Sequence, residues 1–249
     1  MKKINVFYLF AFLILLLNVS CSSDDDNNND DSDDTPEPPT ETQQLAIDYF
    51  TEIALGFEFG NISEVTRKWL DDVVILVEGT PTQVLLNELN IVIDDLNNLI
   101  PSSEIRIRTT TDASEANFTV FLGTSQEFAD FFPAAANFVA NNLGLFFVNF
   151  NNNQELINAT MYVDTERPTE LKQRHLLREE LTQALGMAQD SPRFSDSIFQ
   201  IDFNTGCTVT YSDIDEIIIQ LLYDSRVSLN LTENQVRPIL EDIIGEFTD

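Results

Sequence analysis

The chain has 249 residues, with 42 acidic and 13 basic side chains and a net charge of −29. Such a surface repels nucleic acid and anionic lipid headgroups, which excludes nucleic-acid binding as the main function. Cations such as calcium would be attracted, but no Asp-x-Asp-x-Asp-Gly loop makes that attraction specific.

The first twenty residues read as an export signal. Lys2 and Lys3 give a short positive start, Val6 to Leu17 is almost wholly apolar, and the small Ser20 precedes Cys21. The apolar run is shorter than the ~20 residues that a spanning helix needs, so a cleaved leader is the better reading. A cysteine at the cleavage point resembles the lipobox of bacterial lipoproteins, with Asn18 where leucine is usual and Leu17 one place earlier. That resemblance implies a lipid on Cys21 and a membrane as the first partner. Residues 21–43 are Asn, Asp, Ser, Thr, Pro and Glu with almost nothing apolar, which predicts a solvated acidic tether. Acids directly after the lipid cysteine resemble the surface-export signal of Bacteroidetes lipoproteins, which implies an outer-membrane protein facing outward.

Beyond the tether, 206 residues remain, with 33 acids and 11 bases once the nine tether acids and two leader lysines are set aside. That length suits one large domain or two small ones. With Cys21 acylated, Cys207 stands alone, so neither a disulfide framework nor a cysteine-based zinc site is available. Cys207 itself reads as a small buried apolar residue.

Residues 44–58 carry a helical apolar pattern. Val73–Val77 is a buried strand ending at Glu78-Gly79, and Thr82–Ile100 a helix stopped by Pro101. Ile105 and Ile107 alternate with Arg106 and Arg108 as in a half-exposed strand, and Asn117–Leu122 is a further strand. Residues 125–142 read as helix interrupted by Pro133. Leu145–Phe150 and Ala159–Val163 are two strands of a hairpin around Asn151-Asn152-Asn153, and a long helix runs from about Thr169 to Gly186. At the C-terminus, Thr232 and Gln235 form a capping box for a last helix, 232–247, with Pro238 placed in its first turn.

The helix after Thr169 holds the one pattern of chemical interest. His175, Glu179 and Gln183 recur every four residues and share one face, opposite Leu177, Leu181 and Ala184. Considered alone, this is an amphipathic helix with its polar side in water. Glu179-Glu180-x-x-Gln183-x-x-Gly186-x-x-Gln189, however, has the spacing of H-E-x-x-H-x-x-G-x-x-H, and so resembles the zinc signature of metzincin peptidases. Ser197-Ile198-Phe199 is similar to their Met-turn, with Phe199 in the methionine's place, and 211–223 to their closing helix.

The resemblance covers about residues 70–226 and is greatest to a poorly characterised family of bacterial lipoproteins with a zincin-like fold. It implies an α+β, metzincin-type mixed twisted sheet with two main helices and a helical C-terminal part, in one domain spanning 44–249. The histidine positions hold Glu179, Gln183 and Gln189, and an amide oxygen is a weak donor to zinc. Glu180 keeps the general-base position. The expectation is therefore a metal-free module, without cofactor, in which Gln183 and Gln189 donate to Glu179, His175 joins them, and a protein or peptide occupies the old cleft. Two other readings stay open. One is an atypical hydrolase with His175, Glu179 and Asp190 on a metal and Glu180 as base. The other is a purely structural envelope protein.

Overall fold

A computed structural model describes residues 38–57, 62–101, 103–201 and 207–248. All of them belong to the compact unit Pro36–Asp249. The leader, Cys21 and the tether up to residue 37 lie outside the described residues.

The first helix, α1 (Glu41–Ala54), begins three residues before the expected position, because Thr40 and Gln43 form a capping box. Its buried side carries Ala46, Ile47, Tyr49, Phe50 and Ile53. The tether expected to reach residue 43 therefore gives way to helix by Glu41. The elements that follow are β1 (Lys68–Trp69), β2 (Val73–Gly79), α2 (Gln83–Leu99), β3 (Ile107–Thr110), β4 (Phe118–Gly123) and α3 (Ser125–Phe131). After a short 3-10 turn at Pro133–Ala135 come β5 (Gly144–Phe150), β6 (Glu155–Asp164), α4 (Glu170–Gln183), α5 (Asp213–Tyr223) and α6 (Glu233–Ile243).

The strands form one mixed sheet in the order β1-β6-β4-β2-β3, with β5 paired to β6. All pairings are parallel except β5 with β6, where Gly144 faces Val163 and Asn149 faces Asn158. The short Asn-rich turn permits this antiparallel return, whereas the parallel neighbours require crossovers such as α2. The two-residue β1 was too short to leave a pattern in the sequence.

Alternation along the central strands feeds two cores. Val73, Ile75, Phe118, Val120, Leu122, Met161 and Val163 join a large core with α1, α2, α4, α5 and α6. Phe121 and Tyr162 point the other way, where α3 covers them through Phe128, whose ring stacks on Tyr162 at 4.6 Å. Two expectations need correction. Pro238 is the sixth residue of α6, past its first turn. Cys207 is half-buried rather than fully enclosed.

Candidate functional site: a cleft between β5 and α4

Helix α4 is capped by Thr169, whose hydroxyl accepts from the Lys172 amide. Every residue from His175 to Gln183 is buried, so its polar face is not in water as a surface amphipathic helix would have it. Partners far away in sequence make that burial tolerable. Arg178 reaches Asp95 at 2.8 Å and Glu88 at 3.5 Å on α2, and its guanidinium lies 4.6 Å from the centre of the Tyr211 ring. Arg174 pairs with Glu88 at 2.7 Å. The Thr182 hydroxyl meets the Arg178 carbonyl and the Tyr211 hydroxyl.

Between α4 and β5 lies a cleft of about 910 Å³. All of β5 lines it, together with Asn141, Asn142, Phe132, Phe138 and Phe57. Its polar floor is Glu179, Glu180, Gln183 and Asp190. Gly144 lets Glu180 approach the edge strand, since a Cβ there would overlap the Glu180 carboxylate. Arg167 holds the neighbouring rim by donating to the carbonyls of Val139, Ala140 and Asn142, while Asp164 balances its charge.

The residues singled out by spacing fall into three groups. Glu179, Glu180, Gln183 and Asp190 converge on the cleft. His175 is fully buried and does not line it. Its Nδ1 donates to the Thr208 carbonyl at 2.7 Å and its Nε2 lies 3.5 Å from Glu179 Oε2, so it backs Glu179 from behind. Burial lowers the imidazole's pKa from its ordinary value, despite the bond to Thr208.

Gln189 departs from the expectation. A Cβ on Gly56 would sit 2.9 Å from Gln189 Oε1, which places that amide against the chain after α1 rather than beside Glu179. Asp190 takes the expected place: Gln183 Nε2 donates to its Oδ1 at 2.5 Å. Burial pushes the Asp190 carboxyl up to about 6, although the Gln183 bond acts in the opposite direction. The one-residue offset follows from Gly186, whose φ of +115° turns the chain sharply after α4. A Cβ there would overlap the Arg67 carbonyl oxygen.

Beneath the site, Ser197, Ile198 and Phe199 are fully buried. Ser197 Oγ donates to Asp215 at 2.6 Å and bonds with the Tyr49 hydroxyl, and the Ile198 amide donates to Asp215 at 2.9 Å. Ser212 adds two further donors to Asp215, so this turn is tied at once to α1 and α5.

Zinc does not fit these donors. Only His175 offers an imidazole, and its Nδ1 is already engaged with Thr208. Among the described residues, no three His, Cys, Asp or Glu side chains stand close enough to share a metal ion. That geometry does not bring together the proposed set of His175, Glu179 and Asp190. The cleft walls, Phe57, Phe132 and Phe138, carry no spacing signal. For Phe132 and Phe138, the density of phenylalanine over 128–150 is the one sequence feature that could have pointed to them, and nothing comparable marks Phe57.

Fold and site define a mixed α/β domain with a mostly parallel sheet and a cleft between an antiparallel edge strand and a buried polar helix. Residues 43–242 match the family described as "Protein of unknown function (DUF2927)", and the chain belongs to that family. No curated protein matches it.

Proposed function

We propose that this chain is a membrane-tethered, non-catalytic binding module of zincin-like architecture that holds an extended peptide or protein segment in the cleft between β5 and α4. One observation carries this reading. An edge strand borders a large, mostly apolar cleft whose floor holds Glu179, Gln183 and Asp190, the first two of which stand at histidine positions of the metzincin-like spacing. An edge strand can accept a further strand through its main chain, while pockets beside it take alternate side chains.

The order of elements supports the zincin-like part. A parallel sheet with one antiparallel edge strand, followed by helix α4, a glycine turn and a buried Ser197-Ile198-Phe199 turn, is the order that the metzincin resemblance calls for. The donor chemistry supports the non-catalytic part. Glu180 keeps the position of a general base, but hydrolysis of the metzincin kind relies on a metal-activated water, and Glu179, Gln183 and Asp190 are poor substitutes for three imidazoles.

Cys21 would place the module at the outer membrane, facing outward. No described helix is long and apolar enough to cross a membrane.

Full-length chain should contain substoichiometric zinc by elemental analysis, and it should bind peptide equally with and without a chelator. One zinc per chain, or loss of binding in chelator, would overturn the reading. Cys21→Ser should release the chain from the membrane fraction. Retention there would remove the lipid anchor from the account.

A further inference from the structure

We infer that Lys68 is a covalent attachment point for a small hydroxylated aldehyde, such as the open-chain form of a sugar, which its amine holds as an imine. The site is a second cavity, of about 710 Å³, that shares no lining residue with the β5–α4 cleft. Lys68 lines it from β1, and both Lys68 and its neighbour Trp69 are buried.

The surroundings of the Lys68 nitrogen suit a neutral amine. It donates to the Leu222 and Asp224 carbonyls at 3.0 Å each, where α5 ends. A neutral amine still has two hydrogens for those two bonds, and its lone pair takes the place of the third proton of the ammonium. Among the described residues no carboxylate pairs with Lys68, because both oxygens of the Asp224 side chain are taken by Arg226 at 2.8 Å. Burial therefore outweighs the attraction of Asp224 and pushes the Lys68 amine down to about 8. Desolvation of this kind is what makes a lysine an imine-forming nucleophile.

The rest of the cavity decides the ligand class. Asn152 and Asn153 from the β5–β6 turn, Ser103 before β3, and Ser228 and Asn230 before α6 bring amides and hydroxyls to it. Glu104 is the one acid among the described residues that line it. Amides and hydroxyls both donate to and accept from the hydroxyl groups of a ligand. The step balances without a further reagent. The Lys68 lone pair adds to the aldehyde carbon, and one amine proton passes to the carbonyl oxygen. The hydroxyl so formed leaves as water with the other amine proton as the C=N bond forms.

The lysines of the chain are Lys2, Lys3, Lys68 and Lys172, and the half-buried Lys172 on α4 serves as internal reference. The full chain in detergent at pH 7.5 is given limiting glyceraldehyde, or propanal, with cyanoborohydride, which reduces an imine to a stable secondary amine. Peptide mass mapping then locates the label. Comparing two lysines in one sample removes the intrinsic reactivity of each aldehyde. At this pH a pKa of about 8 raises the neutral fraction of a lysine roughly 100-fold above its ordinary value. Even with access restricted by burial, glyceraldehyde should mark Lys68 about tenfold faster than Lys172, or more. Propanal, which has no hydroxyl, should show a smaller preference. Lys68→Arg should abolish the fast label and leave that on Lys172. The wild-type comparison decides alone if that variant does not fold. A label on Lys68 no faster than that on Lys172 overturns the inference and leaves Lys68 a cap for α5. An equal preference with both aldehydes overturns the choice of a hydroxylated ligand.

Discussion

Asp190 links the chemistry of the cleft to the stability of the chain. Burial raises its carboxyl from an ordinary 3.8 to about 6. A raised carboxyl pKa favours the folded state below about pH 4, and that contribution is lost as pH rises through 6. Asp190→Asn should therefore stabilise the protein at pH 8, by about 1–3 kcal/mol at 1.36 kcal/mol per unit, and change little at pH 4. Thermal melts at the two pH values check this, and an equal shift at both would contradict it. Gly144 gives a second prediction. Gly144→Ala should push the Glu180 carboxylate away from β5 and weaken peptide binding several-fold with the fold retained, as read by titration and circular dichroism. Glu179 and Gln183 were legible in the sequence because helical spacing brings them to one face, and Glu180 through the resemblance to the zinc signature. The exchange of Gln189 for Asp190 was not, since it depends on how far the chain swings at Gly186 before it returns.

At the scale of elements, α4 departs furthest from expectation. Its composition is polar enough to read as a surface helix, yet α2, β5, β6 and the 208–211 segment enclose it. The partners that make this tolerable lie about 80 to 90 residues away, as with Arg178 and its acids Asp95 and Glu88, and no local pattern reveals them. Arg178→Ala should cost about 2 kcal/mol or more in denaturant unfolding, because it strips a partner from buried Glu88. Arg174 still pairs with Glu88, which limits the loss. A change below about 0.5 kcal/mol would mean that this contact is only peripheral. Elements governed by local rules were readable: the caps at Thr82, Thr169 and Thr232, the buried run Val73–Gly79, and the hairpin around its Asn turn. Sheet order and the brief β1 depend on long-range pairing and were not.

The whole molecule joins an acidic domain, a cysteine expected to carry a lipid and lying outside the described residues, and a cleft bordered by the edge strand β5 that we propose takes an extended segment. The central claim is that ligand enters between β5 and α4. Amide hydrogen exchange on the full chain, with and without a nine-residue Thr/Val peptide, tests that claim most directly. The account predicts added protection over 144–150, with smaller changes at 141–142 and in the turn 184–190, and none on the far edge at 107–110. Protection absent from 144–150, or concentrated on another face, would contradict it.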